Sequence, residues 1–234
     1  NRVRDNRVVA KNGSGVTLLS APADNELANN TAARNDRFGV FLSNSVDTAV
    51  TNNTATRNGR DGFFVSAPGE TLEGNNATNN ERDGFIVVAD NVTLSESTAT
   101  GNGRDGISVR GDDATVADGT ANGNDRHGIH LRASDGGDVT NSVANGNDRH
   151  GVALNLSAAD NDLTGTTAND NGGSGFALTG TVVAAPANNS LTDGVARTNG
   201  AWAVAIRNAS GTAVDALDIG ASTEPGTTLS FEGA

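Results

Sequence analysis

Residues 72–87, LEGNNATNNERDGFIV, carry the pattern that decides the fold. The next stretch, residues 94–109, reads LSESTATGNGRDGISV and keeps the same residue classes at the same intervals. Each stretch begins with an aliphatic residue, then has Ala, Asn and Gly, and ends with two apolar residues spaced two apart. Apolar spacing of two predicts short β-strands, and no segment keeps a helical period.

The same unit recurs along nearly the whole chain. Its Gly returns every 22–24 residues, at Gly15, Gly39, Gly62, Gly84, Gly106, Gly128, Gly151 and Gly175, and Ala203 takes its place in a ninth unit. A unit this short buries its apolar face only when neighbouring units stack on it. The repeat therefore predicts an all-β fold, a parallel β-helix of about nine coils of 22–24 residues.

An Asn column precedes the Gly column by four residues. Its members are Asn35, Asn58, Asn80, Asn102, Asn124, Asn147, Asn171 and Asn199. Successive coils lie about 4.8 Å apart, so we expect these side chains to stack into a hydrogen-bonded ladder. The Gly is expected to supply positive φ or close packing at the next corner.

The two ends of the chain differ. We assign residues 1–220 to the helix and 221–234 to a C-terminal cap strand, because residues 229–231 alternate as a strand does. Solenoids need such caps to cover their ends. The N-terminal end looks uncapped, so we expect that an upstream region is missing.

Composition narrows the class of function. The 234 residues carry 28 Asp and Glu against 16 Lys and Arg, a net charge of −12, so we expect no nucleic-acid partner, because cationic side chains drive phosphate binding. No Cys is present, which excludes disulfides and thiolate metal sites. The longest apolar run, residues 85–89, is far shorter than the roughly 20 residues of a membrane helix, so we expect no membrane span.

Residues two and four positions after the Gly alternate with the apolar pair, so we expect them to point outward. In three neighbouring coils they include Phe41, Phe64, Ile86 and Val88. We interpret these four as an exposed contact patch for a polysaccharide or for another protein domain or subunit. The alternative is burial under the variable loops or under a missing upstream segment.

Arg110, His130 and Arg132 are expected on the same outward face, with Asp105 at the adjacent corner. Guanidinium groups bind carboxylates and His transfers protons near neutral pH. A polyuronate lyase or epimerase needs a cation for the sugar carboxylate and a base at C5. Lys and Tyr, which often take part in such chemistry, are absent from this group. Scattered polar residues on a solvated sheet are the alternative.

Two sets of residues are candidate metal ligands. His127 and His150 occupy the same position in adjacent coils and are candidates for one shared ion, copper in particular, although two His do not complete a site. Acidic residues of the variable loops suit Ca²⁺, and they are Asp112, Asp113, Asp135, Asp138, Asp160 and Asp162. A solvated acidic surface is the alternative for this second set.

Six Arg stand two residues before the Gly and form what we call the arginine column: Arg37, Arg60, Arg82, Arg104, Arg126 and Arg149. Acidic residues flank each of them in the sequence. We interpret the column as a surface ladder of ion pairs, each worth little individually. Polyanion binding is the alternative.

The pattern Asn-x-Ala-x-x-Asn-x-x-x-Gly-apolar-x-apolar resembles the right-handed parallel β-helix repeat of the pectin-lyase-like superfamily, and within it the copper-accessory, NosD-type repeats. The resemblance covers about residues 8–220. It implies a right-handed helix but leaves function open. Our leading hypothesis is a secreted or cell-surface module for carbohydrate or partner binding, or for structural spacing. A polyuronate lyase or epimerase and a copper-handling accessory protein are the alternatives.

The acidic composition also predicts a response to salt. The chain is rich in Asp and has a single Lys, Lys11, and in this composition it resembles proteins of halophilic archaea. Concentrated salt screens the repulsion among carboxylates, so we predict that the protein loses stability in low salt. Thermal melting in dilute buffer and in multimolar salt measures this, and identical curves would contradict it.

Overall fold

The structure, a computed structural model, describes residues 1–20, 23–45, 47–181 and 183–219, and the backbone of residues 229–232. Regular structure in this part of the chain is entirely β. In chain order the strands are β1 (Arg2–Arg4), β2 (Arg7–Val9), β3 (Val16–Leu19), β4 (Asn25–Ala28), β5 (Thr31–Ala33), β6 (Val40–Ser43), β7 (Thr48–Thr51), β8 (Thr54–Thr56), β9 (Phe63–Ser66), β10 (Thr71–Glu73), β11 (Asn76–Thr78), β12 (Phe85–Val87), β13 (Thr93–Ser95), β14 (Thr98–Thr100), β15 (Ile107–Val109), β16 (Thr115–Ala117), β17 (Thr120–Asn122), β18 (Ile129–Arg132), β19 (Asp138–Thr140), β20 (Val152–Asn155), β21 (Asp162–Thr164), β22 (Phe176–Thr179), β23 (Ser190–Thr192), β24 (Val204–Arg207), β25 (Ala213–Asp215) and β26 (Leu229–Glu232).

The strands form three parallel sheets, and the first six coils contribute one strand to each of them, whereas the later coils contribute strands to sheets A and C. Sheet A has the order β1-β4-β7-β10-β13-β16-β19-β21-β23-β25, sheet B the order β17-β14-β11-β8-β5-β2, and sheet C the order β26-β24-β22-β20-β18-β15-β12-β9-β6-β3. Each strand pairs with its counterparts in the neighbouring coils. The predicted fold class, a parallel β-helix of about nine coils, is confirmed.

The register between coils is in phase, so like residues stack on like. Leu72 pairs with Val50 on one side and Leu94 on the other, and the buried rings of Phe63 and Phe85 stack with centroids 4.7 Å apart. A fully buried Ala column lines sheet B: Ala32, Ala55, Ala77, Ala99, Ala121, Ala144, Ala168 and Ala196. Burial of each large aliphatic or phenyl side chain contributes about 1.5–3 kcal/mol, and the small Ala keeps the core narrow.

The predicted Asn column is a continuous hydrogen-bonded ladder at one buried corner. The side-chain Nδ2 and the backbone N–H of Asn102 both donate to Oδ1 of Asn124, each over 3.0 Å. Nδ2 also donates to the carbonyl of Ala77 in the preceding coil, over 3.0 Å. The same pattern repeats from Asn35 to Asn199, so the corner satisfies buried polar groups that would otherwise destabilise it.

The Gly of the repeat is required for space. A Cβ at Gly106 would lie 2.7 Å from Nδ2 of Asn124 and 3.0 Å from Cβ of Ala121. Gly106 does not have positive φ, whereas Gly101 and Gly123, at a different corner, do. Of the two expected reasons for this Gly, positive φ is therefore wrong and close packing is correct.

Sheet B weakens towards the C terminus. After β17 its pairing continues only as single bridges, from Thr120 to Val143 and from Val143 to Thr167. At the end of sheet C, β26 pairs in parallel with β24 and adds one more rung. Residues 220–228 lie outside the described residues, so the boundary of the cap at residue 221 stays a prediction.

Replacing Asn102 by Ala should destabilise the protein by about 2–4 kcal/mol, because the buried N–H of Asn80 loses its acceptor and Ala77 loses a donor. Chemical denaturation measures this loss. Asn76 is exposed on β11 and gives the matched control, for which Asn76→Ala should cost less than about 0.5 kcal/mol. Equal losses would contradict the role of the ladder.

Candidate functional site

The residue just before the repeat's Gly forms a second ladder, at the edge of sheet C. Asp61, Asp83 and Asp105 occupy it in three successive coils, and His127 and His150 occupy it in the next two. Oδ1 of each Asp accepts the backbone N–H of the following member, over 3.0, 3.0 and 3.2 Å. The change from Asp to His within this column creates the candidate site.

The two His continue the ladder through their rings. Nδ1 of His127 accepts the N–H of His150 over 3.3 Å, and Nδ1 of His150 accepts the N–H of Ser174 over 2.9 Å. Accepting at Nδ1 requires a neutral ring with its proton on Nε2. Burial and the nearby charge of His130 lower the pKa of His127 to about 3, and burial and the charge of Arg149 lower the pKa of His150.

His130 lies beside this ladder on β18, where its ring makes a hydrogen bond with Asp105. Its Nδ1 lies 3.0 Å from Oδ2 of Asp105, and both side chains are at most 5% exposed. Burial alone would raise the pKa of Asp105, but the hydrogen bond and charge of His130, with His127 and Arg126, lower it to about 2. An ionised carboxylate only accepts hydrogen bonds, so Nδ1 of His130 carries the proton and Nε2 is left for other chemistry.

His130 was expected to point outward into solvent and is instead 4% exposed. It lines a cleft of about 350 Å³ together with Asp105 and four cationic side chains, Arg104, Arg110, Arg126 and Arg132. Arg110 and Arg126 are half-buried, and Arg132 is exposed. The structure therefore brings the three predicted catalytic residues, Arg110, His130 and Arg132, to one place.

Unpartnered polar atoms are concentrated at this cleft. Among the described residues, Nε2 of His130, Nε of Arg110, Nε of Arg126 and Oδ1 of Asn155, which all belong to side chains lining this cleft, are buried without a hydrogen-bond partner. Natural proteins leave few such atoms, because each costs about 1–3 kcal/mol. Their grouping is typical of a site that is completed by a bound molecule.

The arginine column is only loosely paired. Nε of Arg82, Arg104 and Arg126 lie 3.7, 4.0 and 3.8 Å from Oδ1 of the buried Asp61, Asp83 and Asp105, respectively. Within the described residues, Arg37, Arg60 and Arg149 make no salt bridge. Three members of the arginine column therefore form the expected ion pairs, and each pairs with an Asp of the preceding coil.

The expected apolar patch is partly wrong. Ile86 is 3% exposed, so it is buried, and Phe41, Phe64 and Val88 are half-buried. The rings of Phe41 and Phe64 instead form a cluster with Phe38, with all three centroid distances between 5.1 and 5.2 Å. We call Phe38, Phe41 and Phe64 the aromatic cluster.

The aspartates considered for Ca²⁺ are not brought together as ligands. All six are exposed, and Asp112 and Asp135 use Oδ1 to accept backbone N–H groups of the next coil over 2.9 Å. Among the described residues, the one group of three possible ligands with atoms within 4.8 Å of each other is Asp105, His127 and His130. Asp112 and Asp135 therefore act as acceptors for loop backbone N–H groups.

Arg104 and Arg126 line the cleft around His130, and Phe38 lines a second cleft together with Phe41, but the sequence did not single out these three as site residues. Arg104 and Arg126 stand in the visible arginine column, and Phe38 occupies the ladder position that Asp61 takes one coil later. Comparing the residues at the ladder position in successive coils would have shown Phe38 as an exception among Asp and His. The orientation of all three side chains over sheet C could be seen only in the structure.

The described residues contain no helix long and apolar enough to cross a membrane. A family model described as "Right handed beta helix region" matches residues 69–218, and one described as "Periplasmic copper-binding protein (NosD)" matches residues 1–90. No curated protein matches the chain.

Solved structures share this fold at low sequence identity. The mannuronan C-5 epimerase AlgE6 A-module of Azotobacter vinelandii has a TM-score of 0.62 at 18% identity, covering 97% of this chain and 75% of its own. The periplasmic alginate epimerase AlgG has a TM-score of 0.62 at 15% identity, covering 90% and 50%. Pectate lyase Pel9A has a TM-score of 0.57 at 15% identity, covering 89% and 68%. These likenesses show the fold.

Copper, which the NosD match suggests, does not fit the predicted ligand pair of His127 and His150. The chain has no Cys and no Met. Nδ1 of His127 and of His150 already accept backbone N–H groups, and their rings stack face to face with an interplanar angle of 11°. The nitrogen lone pairs lie in the planes of the rings, so those of two parallel stacked rings do not converge on one ion. The nearby arginines also disfavour a cation.

The neutral His ladder predicts acid sensitivity. The unfolded pKa of His127 is about 6.5 and its folded pKa about 3, so its stabilising contribution is present above pH 6.5 and is lost as pH falls. Between pH 6.5 and 4.5 the loss should be about 2–3 kcal/mol. In His127→Asn, which keeps an acceptor for the N–H of His150, this part of the loss should vanish in denaturation curves.

Asp83→Asn is the matched control for this pH series. Burial and the charge of Asp105 raise the pKa of Asp83, so its protonation favours the folded state as pH falls. The Asp83→Asn variant should therefore still lose the stability that depends on neutral His127 as the pH falls. A His127→Asn variant as acid-sensitive as the wild type would contradict the prediction.

Proposed function

The chain belongs to the right-handed β-helix family, and on this premise we propose that it binds a polymer of uronic acids in the cleft of sheet C and removes the C5 proton of one sugar with His130. The observation that supports this best is the buried pair of His130 and Asp105 within a cleft lined by four Arg side chains. A cationic cleft in an otherwise acidic protein selects for an anionic ligand.

The carboxylate of the bound sugar would be held by Arg110 and Arg132. Both line the cleft, and they stand at equivalent positions of adjacent coils, one residue beyond the paired Val109 and Leu131. A guanidinium fork binds a carboxylate through two parallel hydrogen bonds. Neutralising the carboxylate makes the C5 proton more acidic, because the charge that develops on removal spreads onto the carboxylate oxygens.

His130 is arranged to take that proton. Asp105 accepts the proton-bearing Nδ1, which fixes the tautomer and leaves Nε2 with its lone pair. Nε2 is buried and unpartnered, so a substrate reaches it when the long Arg side chains of the cleft move towards the sugar carboxylate. Asp105 also favours the imidazolium that forms, so it is a positioning residue.

Two outcomes follow from the C5 carbanion. In elimination, the C4–O4 bond breaks, a C4–C5 double bond forms, and the proton taken by His130 passes to the leaving O4. In epimerisation, a proton returns to C5 from the opposite face, which needs a second acid. The chain has no Tyr, and its one Lys is Lys11 near the N terminus, so the residues of the cleft favour elimination.

This proposal specifies the carbohydrate-binding hypothesis and its enzymatic alternative. The structures that share this fold include epimerases of mannuronan and alginate and a pectate lyase, which supports uronate polymers as ligands. We also propose an extracellular or cell-surface location, since the matched NosD and AlgG are periplasmic by name. A role in high salt stays a prediction.

Loss of the C5 proton tests the proposal for either outcome. The protein is incubated in D₂O with polymannuronate, polyguluronate and polygalacturonate; ultraviolet absorbance measures the unsaturated product of elimination, and NMR measures the deuterium at C5 that epimerisation introduces. His130→Ala should lower the rate of either reaction about 10²–10⁴-fold. Arg132→Gln should lower it too, mainly by weakening binding.

Arg57→Gln is the control. Arg57 is exposed at another corner, and its substitution removes the same charge as Arg132→Gln. It should leave the rates of both reactions unchanged. Absence of both the unsaturated product and C5 deuterium on all three polymers with the wild type would overturn the proposed chemistry. Wild-type rates in His130→Ala would overturn the role of His130.

A further inference from the structure

Ser108 occupies the position in sheet C that His130 occupies in the next coil. The Cα atoms of these two residues are partners in the parallel register of β15 and β18. Their side chains therefore leave the same face of the sheet from backbones about 4.8 Å apart. Asp105 stands three residues before Ser108 in the same coil, and its Oδ2 lies 3.0 Å from Nδ1 of His130. One coil thus supplies both a carboxyl group and a hydroxyl group beside the imidazole of the next coil.

The hydroxyl group of Ser108 has no partner of its own. Its Oγ is buried without a hydrogen bond among the described residues, and the side chain is 1% exposed. The same position holds Ile86 in the coil before Ser108 and Ala153 in the coil after His130, so sheet C forms without a hydroxyl group here. A buried hydroxyl group without a partner destabilises a fold, and its presence therefore points to a chemical role.

His130 carries the acceptor that such a hydroxyl group needs. Since Nδ1 faces the carboxylate of Asp105, the proton lies on Nδ1 and the lone pair lies on Nε2. Among the described residues, Nε2 is also buried without a hydrogen-bond partner. A serine hydroxyl group, a neutral imidazole and a carboxylate behind the imidazole match a nucleophile, its base and the group that orients the base. The bond between nucleophile and base is often long before a substrate binds.

Cationic side chains lie close to this group. Arg110 follows Ser108 by two residues, and its Nε is buried without a hydrogen-bond partner among the described residues. Arg110 and Arg132 line the cleft of about 350 Å³ together with His130. A guanidinium group stabilises the oxyanion of a tetrahedral intermediate and attracts a substrate that carries a carboxylate. Because Ser108 is buried, an acyl group reaches it when the long Arg side chains of the cleft move.

From these observations we propose that Ser108, His130 and Asp105 form a serine esterase triad that hydrolyses short O-acyl esters of anionic sugars. Oγ of Ser108 bonds to the acyl carbon while Nε2 of His130 takes the hydroxyl proton. That proton passes to the sugar oxygen as the ester C–O bond breaks. Water then attacks the acyl-serine in the same way, which releases the carboxylic acid and restores the serine. Asp105 holds the tautomer of His130 and stabilises the imidazolium, so it is a positioning residue.

This activity uses the tautomer of His130 assigned above, but it does not depend on proton removal at C5. The wild-type chain is incubated with O-acetylated polymannuronate, and NMR measures released acetate while ultraviolet absorbance measures the unsaturated product. Acetate without unsaturated product or C5 deuterium would support the triad and reject the proposed function. Unsaturated product without acetate would do the reverse.

Ser108→Ala tests the nucleophile. It should lower the rates of acetate release and of 4-nitrophenyl acetate hydrolysis about 10²–10⁴-fold. Ser66→Ala is the matched control, because Ser66 is half-buried on the neighbouring strand β9 of sheet C and its Oγ already donates to the carbonyl of Leu42. The control should keep both wild-type rates. Hydrolysis at the wild-type rate in Ser108→Ala would overturn the triad.

Covalent labelling locates the reactive hydroxyl group. A fluorophosphonate reagent reacts with activated serines, and mass spectrometry of the digested protein should place the label on Ser108. Asp105→Asn should slow this labelling at least about 10-fold, because an amide that donates to Nδ1 of His130 moves the proton to Nε2. The variant keeps Oδ1 as the acceptor for the N–H of His127, so the ladder is retained. Labels on other serines only, or none, would overturn the proposal.

Ser108→Cys gives a measurement that needs no ester. The chain has no Cys, so this variant contains a single thiol. At pH 7 iodoacetamide should alkylate it about 10-fold faster than the single thiol of Ser66→Cys, because the imidazole of His130 takes the thiol proton and the thiolate is the reactive form. Adding His130→Ala should remove this difference. A thiol at position 108 that reacts more slowly than the one at position 66 would show a merely buried side chain and overturn the triad.

Discussion

The in-phase hydrogen bonding between successive coils is the constraint on which the rest of the structure depends. Because each strand pairs in parallel with the same strand of the next coil, every residue lies about 4.8 Å from its equivalents. A residue type that suits one coil is therefore repeated in the next, where it meets a copy of itself. Leu stacks on aliphatic residues, Phe63 stacks on Phe85, and Asn80 donates to Asn102.

The same register explains how a functional site can arise without a change of fold. One column needs only an acceptor for the N–H of the next coil, and Asp61, Asp83 and Asp105 supply a carboxylate oxygen. His127 and His150 supply Nδ1 and keep the ladder intact. The end of the Asp series beside His130 leaves one carboxylate, Asp105, free to bind an imidazole at its second oxygen.

The distribution of charge over the surface is uneven and favours this site. The chain has a net charge of −12, yet the cleft around His130 is lined by four Arg and one Asp. The exposed acids of the loops lie in other columns, where Asp112 and Asp135 cap backbone N–H groups. A protein that is acidic overall can therefore present one cationic face, and the local field at that face decides which ligand it attracts.

The sequence by itself determined the fold, because the repeat of Leu72, Ala77, Asn80 and Gly84 fixes which residues meet between coils, and pairing in a solenoid is between neighbours only. It also brought Arg110, His130 and Arg132 to one face, since their offsets from Gly106 and Gly128 are known.

Only the tertiary structure decided what those side chains touch. Offsets predict the side of a sheet on which a residue lies, but they do not predict the path of a long side chain or what covers it. Three features depend on contacts between residues of different columns. They are the burial of Ile86 and His130, the cluster of Phe38 with Phe41 and Phe64, and the hydrogen bond between His130 and Asp105. Contacts along a column follow from the repeat, whereas contacts between columns depend on side-chain rotamers and on the twist of the coil.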